Sequence, residues 1–340
     1  CRHREDRIVD SSTNLEVLTM RRFSFGVTLA ALPAFALSLM LAGCGGGNKE
    51  SSSSGGGSGG DSETSKPKEV KVLEPAKGVL KGKIVLKGSA PIEELNKHLE
   101  AEMKKKDTEY CMKGMETEKT EQTYRVGKDN TLGNVFVWIV PEDAGSFFKV
   151  DKTQLAGLEK EVKISQPHCA FIPHAAFLFS QYKSDPKKPT KLEPTGQKLK
   201  IVNNAKISHN TNWGGGAKNK GGNVLLGEGK DQVVDNLKPE AKEVTIKCNI
   251  HPWMDAYLRV VDTPYYAVSL SDTLDGKDKV AMDDPKFGTY EIKNLPEGVK
   301  VRVIAWHEKC GFLNKDGGKG EVIEILPKKE TTKDFEATAK

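Results

Sequence analysis

Short runs of β-forming residues, separated by turn residues, constrain the fold of this chain more than any other feature. β-Branched and aromatic residues recur within the runs, and Gly, Pro, Asn and Asp lie between them, as in short strands joined by tight turns. The runs are 77–88, 134–140, 196–204, 242–248, 256–262, 289–294, 299–308 and 321–326. No strand–helix alternation indicates a parallel α/β sheet. The pattern therefore predicts an all-β fold built from β-sandwiches.

The stretch 91–111 departs from this pattern. It combines helix-forming residues with apolar positions at i, i+3 and i+4, and it predicts one helix in the N-terminal part of the fold.

A length of 340 residues predicts two or three domains together with non-globular segments. We divide the folded part into an N-terminal β unit at 70–145, a central unit at 160–262 and a C-terminal β unit at 263–340.

A targeting pattern precedes the folded part. Two arginines follow Met20, a long apolar run comes next, and the sequence LAGC ends at Cys44. A charged start, an apolar core and small residues before a cleavage point indicate a secretory signal peptide at 20–43. The ending resembles a bacterial lipobox, which implies cleavage before Cys44 and attachment of lipid to its sulfur. A retained transmembrane helix is the alternative, but Pro33 and the lipobox favour removal.

The segments on either side of the signal peptide lack the composition of a packed core. Residues 1–19 are polar, and we expect them to lie upstream of the true start of the protein. Residues 44–69 are rich in Gly and Ser and predict a flexible linker. A lipid anchor followed by a linker predicts a body tethered to a bacterial membrane outside the cytoplasm, on the periplasmic side or at the cell surface.

The charge of the chain argues against a nucleic-acid partner. The formal net charge of +5 comes from 52 basic and 47 acidic residues, so the excess is small and dispersed. Short lysine clusters occur at 103–106 and 183–191, but no aromatic residues or arginines are interleaved with them. We interpret both clusters as solvated surface.

Four cysteines remain for the folded part: Cys111, Cys169, Cys248 and Cys310. Outside the cytoplasm thiols tend to pair, and a cysteine that stays reduced there needs another use, such as metal ligation. The stretch PHCAFIPH places Cys169 near His174, so a Cys111–Cys169 disulfide and a second metal cluster that includes His174 are both open. Residues 306–310, WHEKC, predict an ordinary strand edge with a spare thiol and a surface carboxylate at Glu308.

The stretch CNIHPWM at 248–254 contains three candidate metal ligands. It places a thiolate, an imidazole and a thioether on one short loop between two predicted strands, VTIK and YLRVV. A type 1 copper site needs two imidazoles and a thiolate in a near-trigonal plane, with a weak axial thioether. His209, in ISHNTNW, is the best candidate for the second imidazole. Zinc is disfavoured, because a thioether is not among its usual ligands.

These residues resemble the cupredoxins. The pattern C-x-x-H-x-x-M with a distant upstream H-N is similar to theirs, the loop length is most like that of the amicyanins, and AFIPHAAF is similar to their F-x-P strand. The resemblance covers roughly 160–262. It implies copper ligands at His209, Cys248, His251 and Met254 and a cupredoxin Greek-key sandwich. It further implies that Asn210 braces the ligand loop and that His251 and Trp253 form the electron port.

The flanking units resemble a second family. The stretch GTYEIKNLPEG at 288–298 is similar to the G-x-Y-x-I-x-x-L-P-x-G signature of carboxypeptidase-regulatory-like domains, which are transthyretin-like sandwiches. The N-terminal unit resembles them more weakly, through 78–91. The whole arrangement is similar to secreted bacterial plastocyanin-like proteins, some of which are called methylamine-utilisation proteins.

The sequence therefore predicts an electron carrier and not an enzyme. One type 1 copper would be the cofactor, and the partners would be redox proteins and the lipid membrane, reached through Cys44. Copper storage or delivery with the same ligands is one alternative. A metal-free structural surface lipoprotein is the other.

Overall fold

A computed structural model describes residues 70–340 of the chain. The predicted upstream segment at 1–19, the signal peptide at 20–43, the lipid on Cys44 and the linker to residue 69 lie outside the described residues. Among the residues described, no helix is both long enough and apolar enough to cross a membrane.

Strands make up most of the regular structure and the helices are short, so the predicted all-β fold class is confirmed. The strands are β1 (Val72–Leu73), β2 (Gly78–Lys87), β3 (Phe136–Pro141), β4 (Phe147–Phe148), β5 (Glu161–Gln166), β6 (Ala175–Phe179), β7 (Gln181–Lys183), β8 (Leu192–Pro194), β9 (Lys198–Asn203), β10 (His209–Gly214), β11 (Gly222–Leu226), β12 (Asp231–Val234), β13 (Val244–Lys247), β14 (Asp255–Val261), β15 (Tyr266–Val268), β16 (Thr289–Leu295), β17 (Lys300–His307), β18 (Gly311–Phe312), β19 (Glu321–Glu324), β20 (Glu330–Thr332) and β21 (Phe335–Thr338). The helices are α1 (Ile92–Met103), α2 (Thr108–Cys111), α3 (Glu116–Lys119) and α4 (Lys152–Ala156). Each β-forming run of the sequence contains a strand.

Two sheets form the central sandwich. One has the strand order β11-β10-β13-β14-β6, and the other has the order β12-β9-β5. Alternate residues of the strands point inwards, and one apolar cluster joins both sheets, with Ile164 and Leu199 from the smaller sheet and Ile246 and Leu258 from the larger. These four side chains are fully buried. The central sandwich carries the candidate site.

The segments before and after the central sandwich contribute strands to the same sheets. The sequence instead predicted a separate β unit from each of them, at 70–145 and at 263–340. Strand β2 pairs with β16, β20 and β21, and strand β3 pairs with β15 and β17. The N-terminal segment supplies only β2 and β3 as strands of more than two residues. Two strands alone are marginally stable in water, so they complete a core whose other strands come from beyond residue 263. Leu80 and Val303 belong to that common core.

A helical segment links the two sandwiches and covers one end of the central one. The single helix predicted for 91–111 is interrupted: α1 ends at Met103, and α2 starts after Asp107, whose backbone is left-handed, with φ of 47° and ψ of 35°. Aspartate tolerates this conformation better than most residues. The side chains of Leu99, Met103 and Cys111 belong to the core of the central sandwich. The helices therefore pack on the central sandwich, although they follow β2 in the chain.

A third apolar cluster joins the two sandwiches, which belong to one compact unit. Its centre is aromatic, and the guanidinium of Arg259 from β14 lies 4.4 Å from the ring centre of Trp306 and 5.0 Å from that of Trp138. Burial lowers the pKa of Arg259 to about 10. The contact fixes a strand of the central sandwich against β3 and β17.

Candidate metal centre

Strand pairing brings the two histidine-bearing segments to the same edge of the larger sheet. Strand β13 ends at Lys247 and delivers Cys248, and β10 begins at His209. Because β10 and β13 are antiparallel, with Asn212 opposite Lys247, the start of one strand lies beside the end of the other. The stretch 248–254 then closes as a tight loop, in which the amide of Met254 donates to the carbonyl of His251 at 2.9 Å.

Three donor atoms of this edge converge. The Nδ1 atoms of His209 and His251 lie 3.0 Å apart. The Sγ atom of Cys248 lies 3.9 Å from Nδ1 of His209 and 3.7 Å from Nδ1 of His251. A triangle with these sides has a centre about 2.1 Å from each corner, close to the roughly 2.0–2.3 Å between a zinc ion and imidazole or thiolate ligands in proteins. The arrangement fits a single transition-metal ion.

Burial sets the protonation of these side chains. His209 and His251 are fully buried and Cys248 is 1% exposed. Burial, and to a smaller extent the neighbouring His251, lowers the pKa of His209 to about 4. Burial also lowers the pKa of His251 and raises the pKa of the Cys248 thiol. Both imidazoles are therefore neutral at pH 7 and have lone pairs for a metal, while the thiol must lose its proton when it binds one.

Met254 lies on the same loop and is 1% exposed. Its backbone carbonyl accepts a hydrogen bond from the amide of Cys248 at 3.2 Å, which fixes the two ends of the loop together. Its side chain belongs to the core of the central sandwich. The structure thus places Met254 in the loop as expected, and its role as the axial ligand stays a prediction.

Asn210 connects the two segments of the site. Its Oδ1 atom accepts hydrogen bonds from the backbone amides of Asn249 and Ile250, the latter at 3.3 Å, and its Nδ2 atom donates to Asn223 at 2.5 Å. These contacts tie the ligand loop to the strand that carries His209. A bracing role for Asn210 would use these contacts, and that role stays a prediction.

The outer edge of His251, predicted to be part of the electron port, is covered by an aspartate and a tryptophan. Its Nε2 atom faces Oδ2 of Asp107 at 3.0 Å. The ring of Trp253 lies 5.1 Å away, edge-on, and its indole N–H donates to the carbonyl of Cys169 at 3.1 Å. Trp253 is partly exposed and His251 is not. Sequence reasoning missed Asp107, because it lies 144 positions from His251 with no spacing pattern to connect them.

Cys111 and Cys169 form a disulfide across 58 positions of the chain. Both sulfurs lie within 4.8 Å of a ring nitrogen of His251. The sequence left a disulfide and a second metal cluster open, and the structure has the disulfide. It anchors the end of α2 beside the candidate metal site.

His174 lies in a different group from Cys111 and Cys169. Its Nε2 atom lies 2.5 Å from Oε1 of Glu308, and its Nδ1 atom lies 3.2 Å from the carbonyl oxygen of Asp255. Both ring nitrogens therefore face acceptors, as in a protonated imidazole. Glu308, expected as a surface carboxylate, is a buried partner in this pair, with 4% of its side chain exposed. The reason is that β17 ends against the central sandwich.

No protein-family model and no curated protein matches the chain. Among solved structures, it is similar to a Cu(I) form of an amicyanin variant at 9% identity, with 32% of this chain and 89% of that chain covered and a TM-score of 0.23. Amicyanin from Paracoccus versutus matches at 11% identity, with 37% of this chain and 97% of that chain covered and a TM-score of 0.22.

An enzyme structure is similar at the same level. A copper-containing nitrite reductase from Thermus scotoductus matches at 17% identity and a TM-score of 0.23. The match covers 30% of this chain and 22% of the enzyme chain. Likenesses at these TM-scores assign neither a site nor an activity to this chain.

Proposed function

We propose that this protein is a single-electron carrier whose central sandwich binds one copper ion through His209, Cys248 and His251, with Met254 as a weak axial ligand. The observation that carries the proposal is the triangle of two imidazole nitrogens and one thiol sulfur, with sides of 3.0, 3.7 and 3.9 Å. Two imidazoles, a thiolate and a thioether are the ligand set of blue-copper electron-transfer sites. Copper held there would supply a one-electron couple between Cu(I) and Cu(II).

The side chains favour a carrier for two physical reasons. First, the side chains of His209, Cys248 and His251 are buried, and close packing around them would limit their movement when the charge of the site changes. Second, the proposed set of four protein ligands would leave no open position at which a substrate could bind, in contrast to catalytic metal sites, which keep one. An enzyme is therefore the less favoured class.

The proposal is tested by adding Cu(II) to the purified full chain. We expect one equivalent to bind with an intense thiolate-to-copper absorption band and the spin-resonance spectrum of a type 1 site. Cys248→Ser should abolish the band. Cys310→Ser is the matched control, because Cys310 is the other free cysteine among the described residues and is also buried, and it should leave the band unchanged.

Other outcomes of the same experiment favour other functions. A colourless complex that holds copper only as Cu(I) would indicate copper delivery by the same ligands. Absence of copper binding, with unchanged stability of Cys248→Ser, would leave a metal-free surface protein and contradict the proposal.

We also propose that the carrier works outside the cytoplasm, tethered through lipid on Cys44. The support is the sequence LAGC and the Gly/Ser-rich segment that follows. Expression of the chain with a labelled fatty acid should label the wild type and not Cys44→Ser. The variant should also leave the membrane fraction; equal membrane retention of both forms would contradict the tether.

A further inference from the structure

The candidate ligand His251 has a second polar contact, on the side away from the donor triangle. Its Nε2 atom lies 3.0 Å from Oδ2 of Asp107, and its Nδ1 atom faces Cys248 and His209. A neutral imidazole carries one proton, which lies on one ring nitrogen and leaves a lone pair on the other. A carboxylate cannot donate when it is ionised, so it holds the proton on Nε2. The lone pair is then on Nδ1, where a metal would be bound.

The local structure around Asp107 is arranged for this distant contact. Asp107 occupies the N-cap position of α2, where an aspartate side chain usually accepts from the amides of the first turn. It makes no such bond, and its carboxylate points at His251 instead. Its backbone is also left-handed, with φ of 47°. The backbone of Asp107 therefore starts α2, whereas its carboxylate is not used by the helix and lies against His251, with the ammonium of Lys106 3.9 Å from the same oxygen.

Several contacts hold Asp107 in place. Its carbonyl accepts from the amides of Tyr110 at 3.0 Å and Cys111 at 2.9 Å. The Tyr110 hydroxyl accepts from the amide of Lys206 at 2.9 Å and donates to the carbonyl of Pro167 at 3.3 Å. The disulfide from Cys111 ties the same turn to the central sandwich. The turn that follows Asp107 is thus anchored to the central sandwich, with the carboxylate beside His251.

We propose that Asp107 is a positioning residue for the metal ligand His251. The Asp107 carboxylate fixes the tautomer of the His251 imidazole and favours the more highly charged state of the bound ion. This inference rests on the proposed copper site. A carboxylate behind a histidine ligand orients the ring and raises its basicity. Its negative charge also interacts more favourably with Cu(II) than with Cu(I), because the interaction grows with the charge of the ion.

The test compares Asp107→Asn and Asp107→Ala with Glu118→Gln in the full chain. Glu118 is the matched control: it lies in the same helical segment and its Oε2 atom is 3.0 Å from a histidine nitrogen, but that histidine, His168, is not a candidate ligand. Nitrogen chemical shifts of the copper-free protein report the tautomer of His251. Competition with chelators reports the affinities for Cu(I) and Cu(II), and voltammetry reports the reduction potential.

For Asp107→Asn, we expect the affinity for Cu(II) to fall roughly 10- to 100-fold, the affinity for Cu(I) to fall less, and the reduction potential to rise. In the copper-free protein, Asp107→Ala should lose the strict preference for the Nε2–H tautomer. Glu118→Gln should match the wild type in all three measurements. A merely structural role would lower the stability of the Asp107 variants without a change in potential or in tautomer.

Two results would overturn the inference. One is an Asp107→Asn protein with the potential and affinities of the wild type. The other is a copper-free wild type whose His251 carries its proton on Nδ1. Failure of the wild type to bind copper would instead refute the proposed function, and the tautomer measurement would still decide whether Asp107 positions His251.

Discussion

The Nε2 atom of His174 lies 2.5 Å from the carboxylate of Glu308, and this pair joins the two sandwiches in a buried position. His174 precedes β6 of the central sandwich, and Glu308 follows β17 of the other. Burial opposes the charged form of His174, but Glu308, together with the carboxylates of Asp255 and Glu121, outweighs burial and raises the pKa of His174 to about 9. Burial likewise opposes the charge of Glu308, yet His174 holds the pKa of that carboxyl below its usual value. The pair is therefore ionised at neutral pH.

The His174–Glu308 pair predicts a loss of stability at alkaline pH. A histidine whose folded pKa is raised stabilises the protein fully below its unfolded pKa of about 6.5, and this contribution is lost as the pH rises through 9. Urea unfolding at pH 6 to 10 should follow this trend. Glu308→Gln should flatten it and lower the free energy of unfolding at pH 7 by about 3 kcal/mol, because it leaves a buried imidazole without its counter-charge. Glu336→Gln, at an exposed ion pair with Lys87, should do neither.

His307 predicts the opposite trend on the acid side. Burial lowers its pKa to about 4. Its Nε2–H donates to the carbonyl of Thr123 at 2.9 Å, and its Nδ1 atom accepts from the amide of Lys309 at 3.3 Å, so the neutral ring satisfies both contacts. Its contribution is complete above pH 6.5 and is lost as the pH falls towards 4, by at most about 3 kcal/mol. His307→Gln keeps a donor but does not titrate, so unfolding curves from pH 7 to 4 should be flatter. An unchanged slope in this variant would contradict the assignment.

The ligand loop could be predicted from the sequence, because Cys248, His251 and Met254 lie within seven consecutive residues between two recognisable strands. His209 could be predicted as well, since a strand pattern and an adjacent asparagine mark its position. Local pattern is enough where the pairing of neighbouring strands decides the geometry.

The contacts of Asp107 and Glu308 could not be predicted in this way. Asp107 reaches His251 only through a left-handed turn that breaks the predicted helix, and Glu308 reaches His174 only because the two sandwiches pack together. The sharing of sheets by the N-terminal and C-terminal segments was missed for a similar reason. Strand patterns identify β2 and β3 but do not say which strands they pair with.

We expect the Cys111–Cys169 disulfide to make a large contribution to the free energy of unfolding. It closes a loop of 58 residues, for which the chain-entropy relation gives about 4 kcal/mol at 25 °C. The double variant Cys111→Ala with Cys169→Ala should lower the free energy of urea unfolding by about that amount. Cys310→Ala removes a buried free thiol and should cost far less. If the double variant and Cys310→Ala unfold at the same urea concentration, the disulfide does not constrain the unfolded chain as expected.

We expect copper affinity to depend on the hydrogen bonds by which Asn210 holds the ligand loop. Asn210→Ala removes the acceptor for the amides of Asn249 and Ile250, which should lower the stability of the copper-free protein by about 1–2 kcal/mol. Copper affinity should fall by roughly 10- to 100-fold, because the loop is less well held. Asn212→Ala is the control: its side chain contacts the same loop through Asn249 at 3.3 Å, but it is not a backbone brace. Equal copper affinities of the two variants would exclude the bracing role.

Met254 offers a test that separates packing from ligation. Its side chain is buried in the central core, so Met254→Leu, which nearly conserves volume, should cost less than about 1.5 kcal/mol in urea unfolding of the copper-free protein. As a weak axial ligand, however, Met254 would donate electron density that favours Cu(II), and its loss should raise the reduction potential. Met103→Leu provides the comparison, because Met103 is fully buried in the same core but is not a candidate ligand. Voltammetry of the two copper-loaded variants decides the matter: a potential that rises only in Met254→Leu reflects ligation. Equal potentials would make Met254 a packing residue alone and leave three ligands at the site.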